Sequence, residues 1–439
     1  MEPPRRYAIV GTGHRARTYT RALTGPYRDT ADVIALCEPN AIRADYYRSA
    51  YGLGDVPAVA PEEFPLLLKQ HRPDVVIVTS PDCTHDAYIC AALDAGVDVI
   101  TEKPMTTDAE RLLRIKTAVE NSSARLTVTF NYRYSPRNSV VRQLLADGVI
   151  GTVTSVHFEW LLDTAHGADY FRRWHREKAN SGGLLVHKSS HHFDLVNWWL
   201  ADTPASVYAM GGLRFYGQDN ALRRNIAPRP RLGRDLPGDD PFRVDLAADP
   251  ALRALYLDAE ELDGYHRDVD VFADGITIED SLSLVIGYQG GATMTYSLSA
   301  FGPWEGYRVA FNGTAGRIEL DVVERSWVPP APPDQEEVRV IDPSAGASAG
   351  PDDLRPPGER IILQRHWEPA VRVPIPAGAR AHGGGDELLL RDLFLGAADD
   401  SLARAAGFQD GMRSVLVGIA ANRSLAEGRP VRLAEFGLA

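Results

Sequence analysis

The sequence contains one dense run of proton-transfer side chains, between residues 187 and 192. His187 and His191 stand four residues apart, and Lys188 and His192 repeat that spacing one residue further on. The run follows the Gly182-Gly183 pair, and we expect it to form a helix on which His187 and His191 share one face. Because imidazole titrates near neutral pH, such a face could transfer protons. The alternative is a polar helix edge at a domain boundary.

This spacing is also that of a zinc clamp on a helix. Metalloproteases of the His-Glu-x-x-His type carry a glutamate inside the pair, whereas Lys188-Ser189-Ser190 fills that interval in this chain. No carboxylate or cysteine is evidently placed in the sequence to complete a site. We therefore predict no metal.

A second candidate group is Glu102-Lys103-Pro104, which follows the apolar run 97–101. That position puts Lys103 at the carboxyl edge of a parallel sheet, where open α/β folds bind ligands. Only five lysines occur among the 47 basic residues, and lysine, unlike arginine, can lose its proton. Lys103 is therefore a candidate catalytic group, with an ordinary solvated loop residue as the alternative.

A glycine loop, Gly11-Thr12-Gly13-His14-Arg15-Ala16, joins the first predicted strand to the first predicted helix. Glycines in that position allow a tight turn and a close approach of the backbone to a pyrophosphate, which the helix N-terminus faces. Glu38 ends the second strand, where a carboxylate binds the ribose hydroxyls of NAD and repels the 2′-phosphate of NADP. We predict NAD rather than NADP, although Arg15 or Arg43 would weaken that preference. The alternative is a plain strand-to-helix turn with a solvated glutamate.

Strand and helix alternate through the first third of the chain. Apolar runs at 7–10, 33–36, 74–79 and 97–101 are separated by helical segments, which is the pattern of βαβ units in a doubly wound parallel sheet. We predict an α/β protein whose residues 1–130 form an NAD-binding Rossmann domain.

The pattern changes after this domain. Long alternating strands and hairpin turns such as Gln289-Gly290-Gly291 predict a C-terminal α/β domain with an open, mostly antiparallel sheet over residues 131–439. Two long irregular stretches, near 217–274 and 328–358, interrupt it as insertions.

Composition excludes several classes of protein. The 439 residues are 44% hydrophobic and 24% charged, as in globular proteins with a large core. A net charge of −12 argues against a nucleic-acid partner, and no apolar run approaches the roughly 20 residues of a membrane helix. Cys37, Cys83 and Cys90 are too few for a disulfide framework. Since a strand beginning near Tyr7 leaves no room for a signal peptide, we expect a cytoplasmic protein.

In their order and spacing, these motifs resemble the Gfo/Idh/MocA family of nicotinamide-dependent sugar oxidoreductases over nearly the whole chain. The resemblance implies NAD(P) at the glycine loop and an active site between the domains. It also implies that residues 131–439 form the substrate-binding and oligomerisation domain, with a homo-oligomer, a dimer or tetramer, formed through the second sheet. The matching motifs are Gly11-Thr12-Gly13, Thr79-Ser80-Pro81-Asp82 with His85, Glu102-Lys103-Pro104, Asn131-Tyr132-Arg133, Trp174-His175-Arg176, Ser181-Gly182-Gly183, the histidine run, Ala310-Phe311-Asn312-Gly313 with Gly316, and His382-Gly383-Gly384-Gly385-Asp386.

The resemblance also implies roles for individual residues. Lys103 would lie beside the nicotinamide and the reacting hydroxyl, and His191 would accept the proton. The implied cofactor contacts are Gly11, Thr12, Gly13, His14, Arg15, Glu38, Ser80, Pro81, His85, Glu102, Lys103 and Asn131. The implied substrate contacts are Lys103, Arg133, Trp174, His187, Lys188, His191 and His192.

The histidine run departs from the family pattern in one respect that bears on the chemistry. Many members carry an aspartate where this chain has His187, and a glycine where it has Ser189. An imidazole does not supply the electrostatics of a carboxylate. The base is therefore His191, His187 or the pair.

Three functions follow from this reading. The first is NAD-dependent oxidation of a secondary hydroxyl of a small-molecule carbohydrate, whether sugar, polyol or glycoside. The second is an NAD-dependent glycosidase, in which a glycoside is oxidised transiently, its aglycone is eliminated, water adds and the sugar is reduced again without net redox change. The third, similar to a yeast transcriptional repressor of this architecture, binds a dinucleotide without catalysis, and the presence of Lys103 together with His191 argues against it.

Overall fold

The computed structural model describes residues 3–329, 354–376, 385–397 and 400–438. Most of the irregular stretch expected at 328–358, and His382-Gly383-Gly384 of the last motif, lie outside the described residues. Within the described ranges, no helix has the length and apolar character needed to cross a bilayer.

The N-terminal domain is built on one parallel sheet. Its strands in the described residues are Arg5–Val10 (β1), Ala31–Cys37 (β2), Ala58–Val59 (β3), Val75–Val78 (β4), Asp98–Thr101 (β5) and Leu126–Val128 (β6). They lie in the order β3-β2-β1-β4-β5-β6. Connections from β1 and β4 therefore leave in opposite directions, which creates the crevice where open α/β sheets bind ligands. The predicted Rossmann fold is confirmed.

Strand register brings the ends of these strands level with one another. Val10 of β1 pairs with Cys37 of β2 and with Val78 of β4, and Val78 pairs with Thr101 of β5. The residues that follow these four strands consequently form one row at the carboxyl edge. The helices around the sheet are Ala16–Thr24 (α1), Ala41–Ala50 (α2), Phe64–His71 (α3), His85–Asp94 (α4) and Ala109–Glu120 (α5).

The C-terminal domain is built on a second, open sheet. Its described strands are Val153–Asp163 (β7), Pro204–Gly212 (β8), Ser281–Tyr288 (β9), Thr293–Gly302 (β10), Glu305–Gly313 (β11), Gly316–Arg325 (β12), Gly358–Arg365 (β13), Val371–Val373 (β14) and Val431–Arg432 (β15). Their order is β14-β13-β12-β11-β7-β10-β9-β8-β15. Neighbours are antiparallel except β7 and β10, which are parallel. The predicted mostly antiparallel sheet is confirmed.

Ten described helices follow the first domain. They are Pro136–Ala146 (α6), His166–Arg172 (α7), Lys178–Ser181 (α8), Leu184–His187 (α9), Ser189–Leu200 (α10), Gln218–Arg223 (α11), Pro250–Leu252 (α12), Glu260–Asp263 (α13), Gly385–Leu395 (α14) and Phe408–Glu427 (α15). Helix α15 packs against β8 of the second sheet. A Cβ on Gly418 of α15 would lie 2.3 Å from the Leu185 carbonyl oxygen, so α15 crosses α9 at backbone contact. This crossing fixes the segment that carries the histidines.

The irregular stretch expected at 217–274 is packed rather than solvated. It contains α11, α12, α13 and a π-helical turn at Arg253–Leu257. Leu246, Leu252 and Leu255 are buried in one hydrophobic cluster with Tyr7 and Tyr19 of the N-terminal domain. An insertion in the second domain therefore forms part of the core of the first.

Helix α14 also returns to the N-terminal domain. The Phe394 ring meets Tyr7 edge-on, with centroids 5.6 Å apart, and lies 5.2 Å from the Tyr27 ring. The chain thus passes between the two domains more than once.

Candidate active site

The glycine loop lies against the loop that follows β4. Gly11 has a φ of +79°, and a Cβ there would lie 2.7 Å from the Ser80 Cα. Only glycine meets both conditions, because any side chain would be strained and would collide with backbone. The two loops together form the wall of a cradle at the N-terminus of α1, which is where a dinucleotide pyrophosphate binds.

Glu38 closes the adjacent side of this cradle. Its Oε2 accepts hydrogen bonds from the Thr12 N–H at 2.8 Å and from the Thr12 hydroxyl at 3.0 Å. Its Oε1 accepts from the Asn40 N–H at 3.0 Å, and Arg43 Nη1 lies 3.6 Å from the same oxygen. The carboxylate therefore stands at the end of β2, at the position where an adenosine ribose binds.

Arg15 is held by an acidic partner. Its Nε donates to Glu102 Oε1 at 2.5 Å, and the Tyr19 hydroxyl donates to the same oxygen at 2.5 Å. Burial acts to raise the pKa of Glu102, but the Arg15 charge and the Tyr19 hydrogen bond outweigh it, and the pKa is lowered. Glu102 is therefore an anion that orients Arg15, and the Arg15 guanidinium is engaged in this ion pair.

Lys103 reaches across to the second domain. Its Nζ donates a hydrogen bond to the backbone oxygen of His187 at 2.9 Å. Burial is the main cause that lowers the pKa of Lys103 to about 8, with Asp82 acting against the shift and Lys188 adding to it. An amine with this pKa exchanges its proton close to physiological pH, which suits a group beside a reacting hydroxyl.

His187 has a carboxylate partner from the first domain. Its Nδ1 lies 2.5 Å from Oδ2 of Asp82, which follows β4. Burial raises the pKa of Asp82 well above its ordinary value, and the Lys103 charge acts against that shift. Burial likewise lowers the pKa of His187 well below its ordinary value. Both side chains are therefore largely shielded from solvent, and the hydrogen bond to Asp82 fixes the orientation of the imidazole.

The histidine run is not one helix, and the expectation of a shared helical face is wrong. Helix α9 ends at His187, Lys188 forms a turn, and α10 begins at Ser189. In an unbroken helix the His187 carbonyl would accept the His191 N–H, but Lys103 takes that carbonyl and the His191 N–H donates to Lys188 O at 3.3 Å. The two histidines consequently meet different surroundings.

His191 and Lys188 both pack on Tyr132. The His191 ring is stacked on the Tyr132 ring, with centroids 4.3 Å apart and planes inclined by 13°. Lys188 Nζ donates to the Tyr132 hydroxyl at 3.3 Å and lies 4.8 Å from the centroid of the Trp160 ring. Aromatic faces stabilise a buried ammonium in this way. The two residues thus border Tyr132 rather than Asp82.

Arg133 and His192 are engaged inside the C-terminal domain. The Arg133 guanidinium donates to both oxygens of Asp194, at 2.8 and 2.6 Å, and its side chain is 2% exposed. The His192 ring is fully buried, is stacked on Trp160 at a centroid distance of 4.1 Å, and has Nδ1 2.7 Å from the Tyr296 hydroxyl. Arg133 and His192 are therefore held in the core of this domain, and their predicted substrate contacts stay predictions.

His85 links two loops of the coenzyme edge. Its Nδ1 faces the Pro104 carbonyl oxygen at 2.9 Å and its Nε2 faces the Ser80 carbonyl oxygen at 2.8 Å. The side chain is buried behind the loops that follow β4 and β5. His85 therefore supports those loops, and its predicted cofactor contact stays a prediction.

Among the remaining predicted contacts, Asn131 has a spare acceptor. Its Nδ2 donates to Asp386 at 2.8 Å, and its Oδ1 is buried with no partner in the part of the chain that the structure describes. Ser80 and Trp174 are half-buried and Pro81 is exposed. The Trp174 ring lies edge-on to the His187 ring at 5.9 Å.

Three residues beside His187 were absent from the predicted site. They are Asp82, His175, whose ring lies 4.2 Å from the His187 ring, and Tyr170, whose ring lies 5.5 Å away. Asp82 and His175 belong to motifs that carry the family resemblance, and a carboxylate directly after a buried parallel strand was a usable signal. Tyr170 had no local signal, because its place in the site depends on how α7 packs.

A chain of hydrogen bonds lies behind Tyr170. Its hydroxyl is 3.1 Å from His166 Nε2, and His166 Nδ1 is 2.5 Å from Glu305 Oε1. Burial acts to raise the pKa of Glu305, but the adjacent His166 outweighs it, and the pKa is lowered. A carboxylate that holds the Nδ1 proton leaves Nε2 to accept the proton of the tyrosine hydroxyl. Tyr170 is therefore a second group able to exchange a proton.

These residues fit a nicotinamide dinucleotide. The cradle at Gly11 accepts no side chain, Glu38 stands at the ribose position, and Asn131 Oδ1 is a buried acceptor without a partner in the described residues. Within the described ranges, no group of three or more His, Cys, Asp or Glu side chains is arranged to hold a metal ion.

Two family models match the chain. The model for the Gfo/Idh/MocA oxidoreductase family, NAD-binding Rossmann fold, matches residues 5–130. The model for the C-terminal alpha/beta domain of that family matches residues 142–433.

Curated proteins and solved structures are similar to the chain as well. The protein YteT of Bacillus subtilis (strain 168), which is named as an oxidoreductase, is 37% identical over 401 residues, 88% of this chain and 87% of YteT. The inositol 2-dehydrogenase of Rhizobium meliloti (strain 1021) is 29% identical over 204 residues, 46% of this chain and 57% of that enzyme. The WlbA dehydrogenase of Bordetella pertussis, solved with NADH and UDP-GlcNAcA, has a TM-score of 0.62 at 16% identity and covers 98% of this chain and 99% of its own. The aldose-aldose oxidoreductase of Caulobacter crescentus, complexed with glycerol, has a TM-score of 0.63 at 17% identity and covers 98% of this chain and 100% of its own.

Proposed function

Because the chain belongs to the Gfo/Idh/MocA oxidoreductase family, we propose that it oxidises a secondary hydroxyl of a sugar, polyol or glycoside with NAD. The observation that carries this proposal is the hydrogen bond from Lys103 Nζ to the His187 backbone oxygen. It joins an amine of pKa about 8 to the residue whose imidazole contacts Asp82. The inositol dehydrogenases among the relatives support a polyhydroxylated substrate.

NAD would lie along the row of residues at the carboxyl ends of the strands. The glycine loop would hold the pyrophosphate, Glu38 the adenosine ribose, and Asn131 Oδ1 would accept from the nicotinamide carboxamide. Glu38 would repel a 2′-phosphate, and Arg15 is committed to Glu102, which supports NAD over NADP. When bound, NAD supplies the acceptor for the hydride that leaves the substrate carbon.

We assign His187, rather than His191, as the base. A base whose other ring nitrogen donates to a carboxylate is held in one tautomer and one orientation. With its Nδ1 proton directed at Asp82, His187 has the Nε2 lone pair to take the hydroxyl proton, and the carboxylate stabilises the imidazolium that forms. Asp82 thus supplies from the first domain the carboxylate that many family members carry at the position of His187.

Lys103 would stabilise the oxygen as its proton leaves. An ammonium in a site without water lowers the energy of a developing alkoxide more than it would in bulk solvent. Its anchor on the His187 backbone places that charge beside the base. Proton removal and charge stabilisation then act on the same oxygen.

An NAD-dependent glycosidase is the second candidate, and the array behind Tyr170 favours it. Elimination of an aglycone requires a second base, which takes the proton from the carbon next to the transient carbonyl. Tyr170, backed by His166 and Glu305 and adjacent to His187, has the contacts of such a group. The net reaction would then be hydrolysis.

A paired assay tests both functions. Sugars, inositols and aryl glycosides are incubated with NAD, and NADH and released aglycone are followed in the same sample. NADH that accumulates with substrate consumption supports the dehydrogenase. Aglycone release that requires NAD but leaves no net NADH supports the glycosidase. If neither signal appears while NAD binds, both proposals are wrong.

We further propose a homo-oligomer in the cytoplasm. The open face of the second sheet exposes Tyr208, Met210 and Val285, whose exposed fractions are 37%, 63% and 51%. A second copy of the chain would cover this apolar patch. Free thiols at Cys37, Cys83 and Cys90 fit a reducing compartment.

A further inference from the structure

The inserted segment 246–265, here named the strap, crosses the edge of the first domain at the glycine loop. The hydroxyl of Tyr256 accepts a hydrogen bond from the His14 backbone N–H at 2.9 Å. A Cβ placed on Gly13 would lie 3.5 Å from the same hydroxyl. The strap therefore touches the cradle itself, although it belongs to the C-terminal half of the sequence.

Polar contacts fasten the strap to the start of α2. Asn40 Nδ2 donates to Ala259 O and to Asp263 Oδ2, both at 2.9 Å. Arg43 Nε donates to Leu255 O at 2.8 Å, and its Nη1 forms an ion pair with Asp263 at 2.6 Å. Asn40 and Arg43 both contact the Asp263 carboxylate. We name this carboxylate the latch of the strap.

Leucines of the strap keep it in place on the apolar side. Leu246, Leu252 and Leu255 are between 0% and 3% exposed, and they pack in the cluster that contains Tyr19 of α1 and Tyr47 of α2. Tyr256 belongs to the same buried cluster and is 7% exposed, so its hydroxyl is the part that reaches the glycine loop. These contacts anchor the strap to the domain core, whereas Asp263 lies outside the cluster.

The His14 N–H lies in the glycine loop, two residues before α1, among the amides that bind a pyrophosphate in this fold. A pyrophosphate oxygen cannot accept this N–H while Tyr256 does. We propose that the strap gates the coenzyme site, with Tyr256 as a plug at a pyrophosphate position and Asp263 as a latch that opens whenever coenzyme enters or leaves. This inference rests on the proposed function only in taking a dinucleotide as the ligand of the glycine loop.

A gate of this kind makes coenzyme exchange slow. Binding that must wait for a conformational opening has a lower association rate constant than direct docking. The coenzyme, once bound, leaves only when the latch opens. Slow exchange suits a reaction in which the same bound coenzyme is reduced and reoxidised before it dissociates.

The two parts of the gate have different kinetic signatures. Tyr256→Phe keeps the ring but removes the acceptor of the His14 N–H, so it removes a competitor of the pyrophosphate. We expect it to bind NADH about fivefold more tightly, mainly through faster association. Asp263→Asn weakens the latch in both states. We expect it to raise the association and dissociation rate constants together by about fivefold, with little change in Kd.

Stopped-flow fluorescence of NADH binding, followed by displacement with excess NAD, measures these constants. For the unaltered protein, the observed association rate should level off as NADH concentration rises, because opening becomes limiting. Glu261→Gln, an exposed carboxylate of the same strap, is the matched control and should leave all constants unchanged. Hydrogen exchange of residues 253–257, which carry the plug, should increase when ADP-ribose is added, since the plug is then displaced. Exchange of residues 258–263 should stay unchanged, because the latch closes again over the bound ligand.

Different results would contradict the gate and the proposed function. An observed rate that rises linearly with NADH concentration, and that is the same in all variants, would overturn the gate and leave the proposed function intact. No binding of NADH to any folded variant would overturn the proposed function, and the gate with it.

Discussion

Lys103 Nζ binds the His187 carbonyl, at 2.9 Å, in the place that the His191 N–H would hold in a continuous helix. The candidate catalytic lysine and the break between α9 and α10 are therefore one structural feature. The break turns His187 toward Asp82 and leaves His191 on Tyr132. The assignment of the base follows from this relationship and can be tested by substitution.

Substitution of Lys103 should abolish most turnover while leaving coenzyme binding nearly intact. We expect Lys103→Ala to lower kcat by about 10³-fold, because an electrostatic stabiliser of the developing oxyanion is lost. NADH titration should show a change in Kd below about threefold. Lys69→Ala, on the exposed face of α3, is the control. Near-normal turnover of Lys103→Ala would contradict the proposed role.

The two histidines should differ in their contribution to the rate. We expect His187→Gln to lower kcat by about 10²- to 10⁴-fold, as for loss of a general base, and His191→Gln to have a smaller effect. Asp82→Asn should lower kcat with little change in KM, because the amide can hold the ring but cannot stabilise the imidazolium. If His191→Gln proves the more damaging change in steady-state kinetics, His191 is the base.

The pH dependence should report Lys103. Its pKa is lowered to about 8, so the ammonium form is present below that pH and is lost as pH rises through it. If the ammonium stabilises the alkoxide, kcat/KM for oxidation should fall above about pH 8. A Lys103→Arg enzyme keeps its charge past pH 12, so its residual activity should lack this fall. An unchanged fall in that variant would assign it to another group.

Coenzyme preference should depend on the carboxylate at the end of β2. Glu38→Gln keeps an acceptor near Thr12 but removes the negative charge that repels a 2′-phosphate. We expect the ratio of kcat/KM for NAD over NADP to fall by about tenfold. Glu62→Gln, an exposed acid outside the cradle, serves as the control. A ratio that does not move would place the discrimination elsewhere.

Loss of Arg133 should act on stability rather than on the substrate. Arg133→Leu leaves the Asp194 carboxylate buried without its ion pair, which typically costs about 3–5 kcal/mol of unfolding free energy. The exposed pair Arg423–Glu427 offers a comparison, and Arg423→Leu should lower the free energy of unfolding far less, because solvent screens an exposed pair. Denaturant titration measures both. A stable Arg133→Leu protein with a raised KM would restore Arg133 as a substrate contact.

Local sequence pattern was sufficient for the fold and for the coenzyme edge. Alternating apolar runs place Gly11, Glu38 and Lys103 after different strands, and level strand ends are a general property of a parallel sheet. The sequence therefore predicts that these three residues lie at one edge of the sheet. The chemistry of each residue depends mainly on the side chains that lie beside it at that edge.

Long-range partners explain what the sequence did not predict. The helix break depends on Lys103, which is 84 residues from His187, and the plug joins Tyr256 to His14 across 242 residues. The sequence does not predict the burial of Arg133, because its ion-pair partner Asp194 lies on α10, 61 residues further along the chain. No short-range periodicity encodes such contacts.

Helix α14 has a consequence for the synthesis of this chain. Phe394 covers Tyr7 of β1, so a residue near the C-terminus completes the core around the first strand. During translation the N-terminal sheet can form its hydrogen bonds early, but one edge of its apolar surface stays uncovered until α14 has left the ribosome. Strand β1, which precedes the other described strands in the chain, is thus among the last to be fully enclosed.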